Sequence, residues 1–203
     1  MGEQQSQQER HKRKMAKQKS QIDQGIAAAQ QERGVLILLT GDGKGKSSSA
    51  FGMVMRSLGY GHKVGVVQFI KGVQLSGEEI FIRERHPEVE LYQMATGFTW
   101  ETQDKSGDIA AAETTWAVAE RMLADASLNL VVLDELTYML GFKYLDESRV
   151  LEALLKRPPE QSVVVTGRGG GSALQALADT VSEIKDIKHA YSSGIKARLG
   201  VDF

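Results

Sequence analysis

A glycine-rich turn followed by lysine and serine forms a group of residues suited to binding phosphate. An apolar run over residues 34–39 precedes the turn and a predicted helix follows it, which is the setting of a phosphate-binding P-loop. Glycines let backbone N–H groups turn towards phosphate oxygens, and the helix N-terminus adds partial positive charge. The residues expected to bind nucleotide are Gly41, Asp42, Gly43, Lys44, Gly45, Lys46, Ser47 and Ser48.

The turn departs from the common G-x-x-x-x-G-K-[ST] spacing at its first position. Thr40 stands where that pattern has its first glycine, and Lys44 adds a second cation inside the turn. Lys46 is expected to reach the outer phosphates, and the Ser47 hydroxyl to ligate Mg²⁺. The alternative is a glycine-rich turn with incidental lysines, which the flanking strand and helix disfavour.

A pair of acidic residues ends a second apolar strand. The run Leu130–Leu133 is followed by Asp134 and Glu135, the arrangement known as Walker B. Asp134 is expected to hold Mg²⁺ or its water shell. Glu135 is placed either to orient a water molecule, as in ATPases, or to act as a further ligand of the metal or of ribose. The alternative is that both acids only cap the next helix.

Two further groups have less specific signals. Arg168 follows a strand in a glycine-rich turn, where an exposed guanidinium can neutralise phosphate charge. Phe98 and Trp100 lie two residues apart in a polar stretch. Such a pair is either a buried anchor of the loop or an apolar platform for a large flat substrate.

Predicted strands alternate with predicted helices along the chain, which indicates a doubly wound α/β fold with a mostly parallel sheet. We expect strands at 63–70, 89–94, 128–133, 162–166 and 181–187 after the P-loop strand, and helices at 48–58, 78–85, 108–125, 147–155 and 172–178, with Asp108 as an N-cap. Ligands of such sheets bind at the carboxyl ends of the strands. The polar residues predicted at those ends are Lys46, Ser47, Gln68, Lys71, Asp134, Glu135, Thr166 and Arg168.

Composition divides the chain into a polar segment, 1–32, and one domain, 33–203. The first segment is rich in Gln and basic residues, so we expect either a partly disordered tail or a segment that orders over a ligand or a partner subunit. A short amphipathic helix is possible near Ile22 and Ile26.

Composition also excludes several classes of function. The net charge of −1 gives no overall positive charge of the kind that indicates nucleic-acid binding, and the absence of cysteine excludes disulfides and thiolate chemistry. With no apolar run of about 18 residues, no membrane association is expected and the chain is predicted to be cytoplasmic.

Several motifs together resemble the CobA/BtuR/CobO-type corrinoid adenosyltransferases. They are Gly41–Ser47, Val66–Gly72, Thr96–Trp100, Asp134-Glu135, Thr166–Gly169 and the tail from Lys188 to Phe203. The resemblance extends from about residue 20 to the end. The family more often has Asn and Thr where this chain has Asp42 and Ser47; Ser47 keeps the hydroxyl, whereas Asp42 adds a negative charge beside the nucleotide.

The resemblance implies a RecA-like P-loop fold, a homodimer and transfer of the 5′-deoxyadenosyl group of ATP to the Co(I) centre of cobalamin or a cobinamide-type corrinoid, with release of triphosphate. It implies that Lys46, Glu135 and Arg168 act in catalysis, that Mg²⁺, or Mn²⁺ in its place, is bound by Ser47, Asp134 and Glu135, and that ATP is bound in the reversed sense. Phe98 and Trp100 correspond to the aromatics beneath the corrin. A flavoprotein is the expected reductant of cobalt.

Three other functions use the same parts. A RecA-like ATPase would hydrolyse ATP to ADP and phosphate with Glu135 orienting water. A small-molecule kinase would need an arginine-rich lid, and the region after Asp134 carries only scattered basic residues. A non-catalytic nucleotide-binding regulator is the third. Of these four functions, only the transferase releases triphosphate.

Overall fold

The structure is a computed structural model that describes residues 2–70, 75–94 and 105–202, with side chains from residue 7 onward. Six strands lie within these ranges: β1 Leu36–Thr40, β2 Val64–Gln68, β3 Glu90–Gln93, β4 Leu130–Asp134, β5 Ser162–Thr166 and β6 Thr180–Glu183. They form one sheet in the order β3-β2-β4-β5-β1-β6, and every neighbouring pair is parallel. The predicted α/β fold class is therefore confirmed.

Seven α-helices and one short 3₁₀ helix occur in the described residues: α1 Gly2–Ala28, α2 Lys46–Gly59, α3 Gly77–Arg85, α4 Lys105–Ala124, α5 Leu136–Gly141, α6 Glu147–Lys156, α7 Gly171–Leu177 and the 3₁₀ helix Ala190–Ser193. None of the helices in the described part of the chain is long and apolar enough to cross a lipid bilayer.

The central strands are apolar on both faces because both faces of the sheet are covered. Every residue of β2 and β4 is buried, as expected for parallel strands between two helical layers. Successive residues point to opposite faces, so Val131 packs with the apolar cluster around Trp116 and Val132 with the cluster around Phe51. This two-sided burial holds the carboxyl ends of the strands, where the polar residues lie, in a fixed row.

The start of α4 differs from the prediction. The helix begins at Lys105, so Asp108 lies within its first turn rather than at the N-cap, and the prediction of a cap was wrong. Asp108 is buried, and its carboxylate accepts a hydrogen bond from the Tyr144 hydroxyl at 3.4 Å. Because Gly107 is a poor helix former, the sequence predicted that the residues before Asp108 lie in a loop.

Residues 1–32 and 33–203 are two separate units by their internal contacts, and each is described by itself. In the first unit the structure has one helix, Gly2–Ala28, which is much longer than the short amphipathic helix considered from the sequence. Its side chains from residue 7 to 28 are all exposed. Gln, Lys and Arg are good helix formers, so intrinsic propensity accounts for a helix without a buried face.

An ion-paired carboxylate connects the segment before β1 with the segment before β6 in the second unit. Arg33 donates two hydrogen bonds to Asp179, and the Leu36 N–H donates a third at 2.8 Å. The hydrogen bonds from Arg33, followed by the one from Leu36, hold the pKa of Asp179 well below its usual range. The carboxylate therefore stabilises the folded state only while it is ionised.

We expect Asp179→Asn to lower the melting temperature by a few degrees at pH 7. Because the folded-state pKa is depressed, the contribution of Asp179 is fully present above the unfolded pKa of about 4 and is lost as pH falls towards the folded value. Thermal unfolding at pH 7 and at about pH 2 should therefore show a large difference between variant and wild type at pH 7 and a smaller one in acid. A difference that does not change with pH contradicts this role of the ionised carboxylate.

Candidate functional site

The P-loop connects the end of β1 to the start of α2. Gly41 has a φ of 97° and a side chain there would collide with the backbone oxygen of Ile184, 2.4 Å from the position of a Cβ. Gly45, with a φ of 120°, immediately precedes the helix. Both positions require glycine because of their positive φ, and Gly41 requires it also because the backbone of Ile184 leaves no room for a side chain. The Gly43 N–H donates to Ile184 O at 2.7 Å, so this amide is bonded to the chain itself.

Lys46 is the cation held most closely within the loop. Its side chain is buried, and its ammonium donates a hydrogen bond to Gly43 O at 2.9 Å. Burial lowers the pKa of Lys46, the nearby charge of Glu135 raises it, and the charge of Arg168 lowers it. Lys46 therefore lies in a partly desolvated group of opposite and like charges, where an added polyanion would be strongly attracted.

The carboxylate of Asp134 is held at both oxygens. Gln68 Nε2 donates to Oδ2 at 3.0 Å, and the Thr166 hydroxyl donates to Oδ1 at 2.6 Å. The Thr166 oxygen in turn accepts the Glu135 N–H at 2.9 Å. An ionised carboxylate has about four lone-pair positions, so each oxygen keeps capacity for a cation or for water bound to it.

Glu135 is the most perturbed acid of the site. It lies between β4 and α5 with a left-handed φ of 61°, and α5 is a six-residue helix that the sequence did not predict. Burial raises the pKa of Glu135 to about 7, the charge of Asp134 adds to this, and Lys46 and Arg168 oppose it. Its Oε2 atom is buried with no hydrogen-bond partner in the described residues. A bound ligand would satisfy this oxygen.

The glycine turn after β5 is fixed to the P-loop and to α5 by two threonines. The Thr40 hydroxyl donates to Gly169 O at 2.6 Å, and the Thr137 hydroxyl donates to Arg168 O at 2.8 Å. Gly167 packs so closely on Thr137 that a Cβ would lie 2.0 Å from its hydroxyl. Sequence reasoning missed both threonines. The signal for Thr40 was present, since it replaces the first glycine of the common P-loop pattern.

Arg168 has an acidic partner in the P-loop. Its Nε lies 3.7 Å from Asp42 Oδ1, and both side chains are largely exposed. Asp42 therefore stands where it would repel a bound phosphate and compete with it for the guanidinium.

We expect Asp42→Asn to tighten ATP binding about two- to fivefold, because exposed ion pairs contribute up to about 1 kcal/mol. The measurement is ATP affinity by calorimetry, with the exposed Glu160→Gln as a control that makes the same change in net charge. Equal tightening in both variants assigns the effect to overall charge, and weaker binding in Asp42→Asn contradicts the expected competition.

Lys44, the second lysine of the loop, is paired with the C-terminal segment. Its ammonium lies 2.9 Å from Asp202 Oδ1, and Asp202 Oδ2 accepts the Arg198 N–H at 2.9 Å. Lys44 is more exposed than Lys46, with 43% of its side chain accessible.

The residues predicted to bind a metal suit Mg²⁺ only together with a phosphate ligand. Among residues 2–70, 75–94 and 105–202 no cluster of three or more His or acidic side chains could hold a metal ion. Mg²⁺ beside nucleotides usually takes one or two carboxylates, waters and phosphate oxygens. The partly buried Ser47 hydroxyl and the free lone pairs of Asp134 match that chemistry.

The structure thus places the predicted P-loop residues, Asp134, Glu135 and Arg168 at one edge of the sheet. Phe98, Trp100 and Lys71 lie outside the described residues. The stretch that contains both aromatics begins after Met94, at the carboxyl end of β3, and ends at Lys105, where α4 begins.

Comparisons with known proteins found a matching family model and several similar proteins. The family model described as ATP:corrinoid adenosyltransferase BtuR/CobO/CobP matches residues 32–203. A corrinoid adenosyltransferase of Pseudomonas aeruginosa is 53% identical over 203 residues and the match covers all of both chains. A corrinoid adenosyltransferase of Escherichia coli K12 and corrinoid adenosyltransferase CobA of Salmonella typhimurium are each 49% identical over 96% of this chain and 98% of their own.

Proposed function

The chain belongs to the ATP:corrinoid adenosyltransferase family BtuR/CobO/CobP and is a corrinoid adenosyltransferase, and we propose that its P-loop edge holds ATP by the triphosphate, as a leaving group. The observation that carries the proposal is the buried Lys46 ammonium, which lies inside the loop and interacts electrostatically with both Glu135 and Arg168. A triphosphate placed there would meet Lys46 and Arg168 together.

The proposed step is a displacement at carbon. The Co(I) centre of the corrinoid substrate supplies an electron pair to the 5′-carbon of ATP, a cobalt–carbon bond forms, and the bond between this carbon and its oxygen breaks. The electron pair of the broken bond leaves with the triphosphate. Because cobalt is the nucleophile, no general base is needed. Lys46 and Arg168 stabilise the charge that accumulates on the leaving group, and the bound geometry aligns the reacting atoms.

Ser47 and Asp134 are the residues that would hold Mg²⁺, or Mn²⁺ in its place. When bound, the cation supplies positive charge to the triphosphate. Glu135 contributes its unpartnered Oε2, which suits either the metal with its water shell or a ribose hydroxyl. The variant Glu135→Met, which removes both carboxylate oxygens at similar volume, separates these roles. Removal of a metal ligand should raise the Mg²⁺ requirement, whereas removal of a hydrogen bond to ribose should weaken ATP binding and leave the binding of inorganic triphosphate unchanged.

Phe98 and Trp100 are proposed to pack beneath the corrin and to displace the lower axial ligand of cobalt. A four-coordinate Co(II) is easier to reduce, because the lower axial ligand no longer raises the energy of the cobalt orbital that accepts the electron. Cobalamin and cobinamide-type corrinoids are both candidate substrates, a flavoprotein is the proposed reductant, and the active form is proposed to be a homodimer.

Helix α1 is proposed to fold over the corrinoid. Within the helix, Met15, Ile22 and Ile26 are spaced by seven and four residues, so they share one face, and all three are exposed. Deleting residues 1–30 should raise the KM for the corrinoid while leaving ATP affinity unchanged. Steady-state kinetics with each substrate varied provide the measurement.

A triple variant tests the same helix without shortening the chain. Changing Met15, Ile22 and Ile26 to Gln keeps the length, the charge and the helical propensity of α1. We expect this variant to show the same selective rise in KM as the deletion. Kinetics equal to those of the full chain in both proteins would contradict the proposed role of α1.

The transferase activity is tested by product analysis. The protein is incubated anaerobically with MgATP and chemically reduced cobalamin, while the corrinoid spectrum and the phosphate product are followed. A light-sensitive alkylcobalamin spectrum with one triphosphate per corrinoid is the expected result. ADP and phosphate with an unchanged corrinoid would indicate a hydrolytic ATPase instead.

A further inference from the structure

A row of polar side chains crosses three adjacent strands at the carboxyl edge of the sheet. The register pairs Gln68 of β2 with Asp134 of β4 on one side and with Gln93 of β3 on the other. Residues paired in a parallel register point to the same face, so the three side chains form a line. Gln68 and Asp134 are buried and Gln93 is half-buried, so their donors and acceptors must match one another.

The line continues from Gln93 to a buried acid outside the nucleotide site. Gln93 Nε2 donates to Gln68 Oε1 at 2.9 Å and to Glu79 Oε2 at 2.7 Å. Glu79 belongs to α3, is fully buried, and accepts a hydrogen bond from Arg83 Nε at 2.9 Å on its other oxygen. Arg83 also donates to Gln93 Oε1 at 3.2 Å.

Glu79, which is paired with Arg83, and Arg83 itself together determine which way the Gln93 amide points. An ionised carboxylate only accepts, so Gln93 must present its NH₂ group to Glu79. The same NH₂ group then donates to the carbonyl of Gln68. Gln68 is left with its own NH₂ group towards Asp134, which is the orientation that a carboxylate requires.

We propose that Glu79 and Gln93 are positioning residues that orient the Gln68 amide as a donor to Asp134. This inference rests on the proposed function, in which Asp134 holds the cation beside the triphosphate. The donation fixes the rotation of the Asp134 carboxylate. With the Gln68 amide reversed, a carbonyl oxygen would face Oδ2, so two acceptors would meet without a proton between them. Asp134 would then rotate away from this oxygen, and the loss of its orientation weakens cation binding.

An exchange of two side chains tests the direction of the hydrogen bonds in this line without changing the net charge or the composition of the protein. In the double variant Glu79→Gln/Gln93→Glu, the new carboxylate at 93 can still accept from Arg83, and the new amide at 79 can still accept from Arg83 and donate to residue 93. Gln68 alone loses a donor, because its neighbour at 93 has become an acceptor, and its single NH₂ group then faces a carboxylate on each side. The exchange therefore keeps the surrounding hydrogen bonds and makes residue 93 compete with Asp134 for the NH₂ group of Gln68.

The readout is ATP binding by calorimetry over a series of free Mg²⁺ concentrations, with binding in EDTA as the metal-free reference. We expect the half-saturating Mg²⁺ concentration to rise about 10- to 100-fold in the exchange variant, the effect typical of residues that orient metal ligands. Binding in EDTA should match wild type. A folded exchange variant with the Mg²⁺ dependence of wild type overturns the proposal.

A single variant keeps the test decisive if the exchange protein does not fold. Gln68→Met removes the donor at similar volume, and it should raise the Mg²⁺ requirement in the same way; an unchanged requirement overturns the proposal. Failure of the proposed function would be seen in a different result, namely that the wild-type enzyme releases no triphosphate. The Mg²⁺ dependence of ATP binding reports on the line of side chains whichever product the enzyme makes.

Discussion

Replacing Lys46 with Met is expected to lower the rate of adenosyl transfer about 10²- to 10³-fold, the usual cost of removing one preorganised charge from a site where charge develops. The ammonium is buried, is held by Gly43 O at 2.9 Å, and lies close to Glu135 and Arg168. Met keeps the volume of the aliphatic stem, so the loop should fold. The measurement is the single-turnover rate of cobalt–carbon bond formation with saturating MgATP.

Lys44 provides a matched control two residues away in the same loop. It is more exposed than Lys46, and it is already paired with Asp202 at 2.9 Å. Lys44→Met should therefore change the rate much less, about tenfold at most, since surface charges are screened by water and salt. Equal losses in the two variants would mean that the loop responds only to total charge. A Lys46→Met enzyme with the wild-type rate would contradict the assignment of the leaving-group site.

Replacing Phe98 and Trp100 with Ala is expected to abolish adenosylation of a Co(II) corrinoid supplied with a reductant, while ATP affinity stays within about twofold of wild type. The reason is that these aromatics are proposed to contact the corrin and not the nucleotide, and aromatic side chains contribute large apolar contact areas. Supplying chemically prepared Co(I) should restore part of the activity, because it bypasses the reduction that the aromatics are proposed to assist.

The exposed aromatic Tyr60 offers the corresponding control. It follows the C-terminus of α2, at the opposite end of the helix from the P-loop, and is 77% exposed. Tyr60→Ala should leave both ATP binding and adenosylation unchanged. If the double variant lost ATP affinity together with activity, Phe98 and Trp100 would be structural anchors of their loop.

The fold was largely predictable because its strands are short apolar runs bounded by glycine, proline and acidic residues. A run such as Leu130–Asp134 permits few alternatives to a buried parallel strand, and a polar residue at its end must lie at the ligand edge. Elements with a short or weak sequence pattern were missed, as α5 was, or predicted only in part, as α1 was. Helix α5 has six residues and no measurable periodicity, and α1 has no buried face for a pattern to indicate.

The types of the site residues could be predicted, but their mutual contacts could not. That Asp42 pairs with Arg168, and Lys44 with Asp202, depends on where loops distant in sequence meet. The contact of Gln68 with Asp134 depends on strand order and register, because a shift of one residue would turn Gln68 to the other face. Sequence alone contains Gln68, Gln93 and Glu79 but not the alignment that joins them.

The central claim, displacement at carbon with triphosphate as the leaving group, is tested most directly by oxygen labelling. ATP carrying ¹⁸O in the bridge between the 5′-carbon and the α-phosphorus is converted with a Co(I) corrinoid, and the triphosphate is analysed by mass spectrometry. Cleavage of the bond to carbon predicts that all of the label leaves with the triphosphate, in amount equal to the adenosylcorrinoid formed. Triphosphate without the label, or label retained on adenosine, would show that the bond to phosphorus breaks and would contradict the proposed displacement.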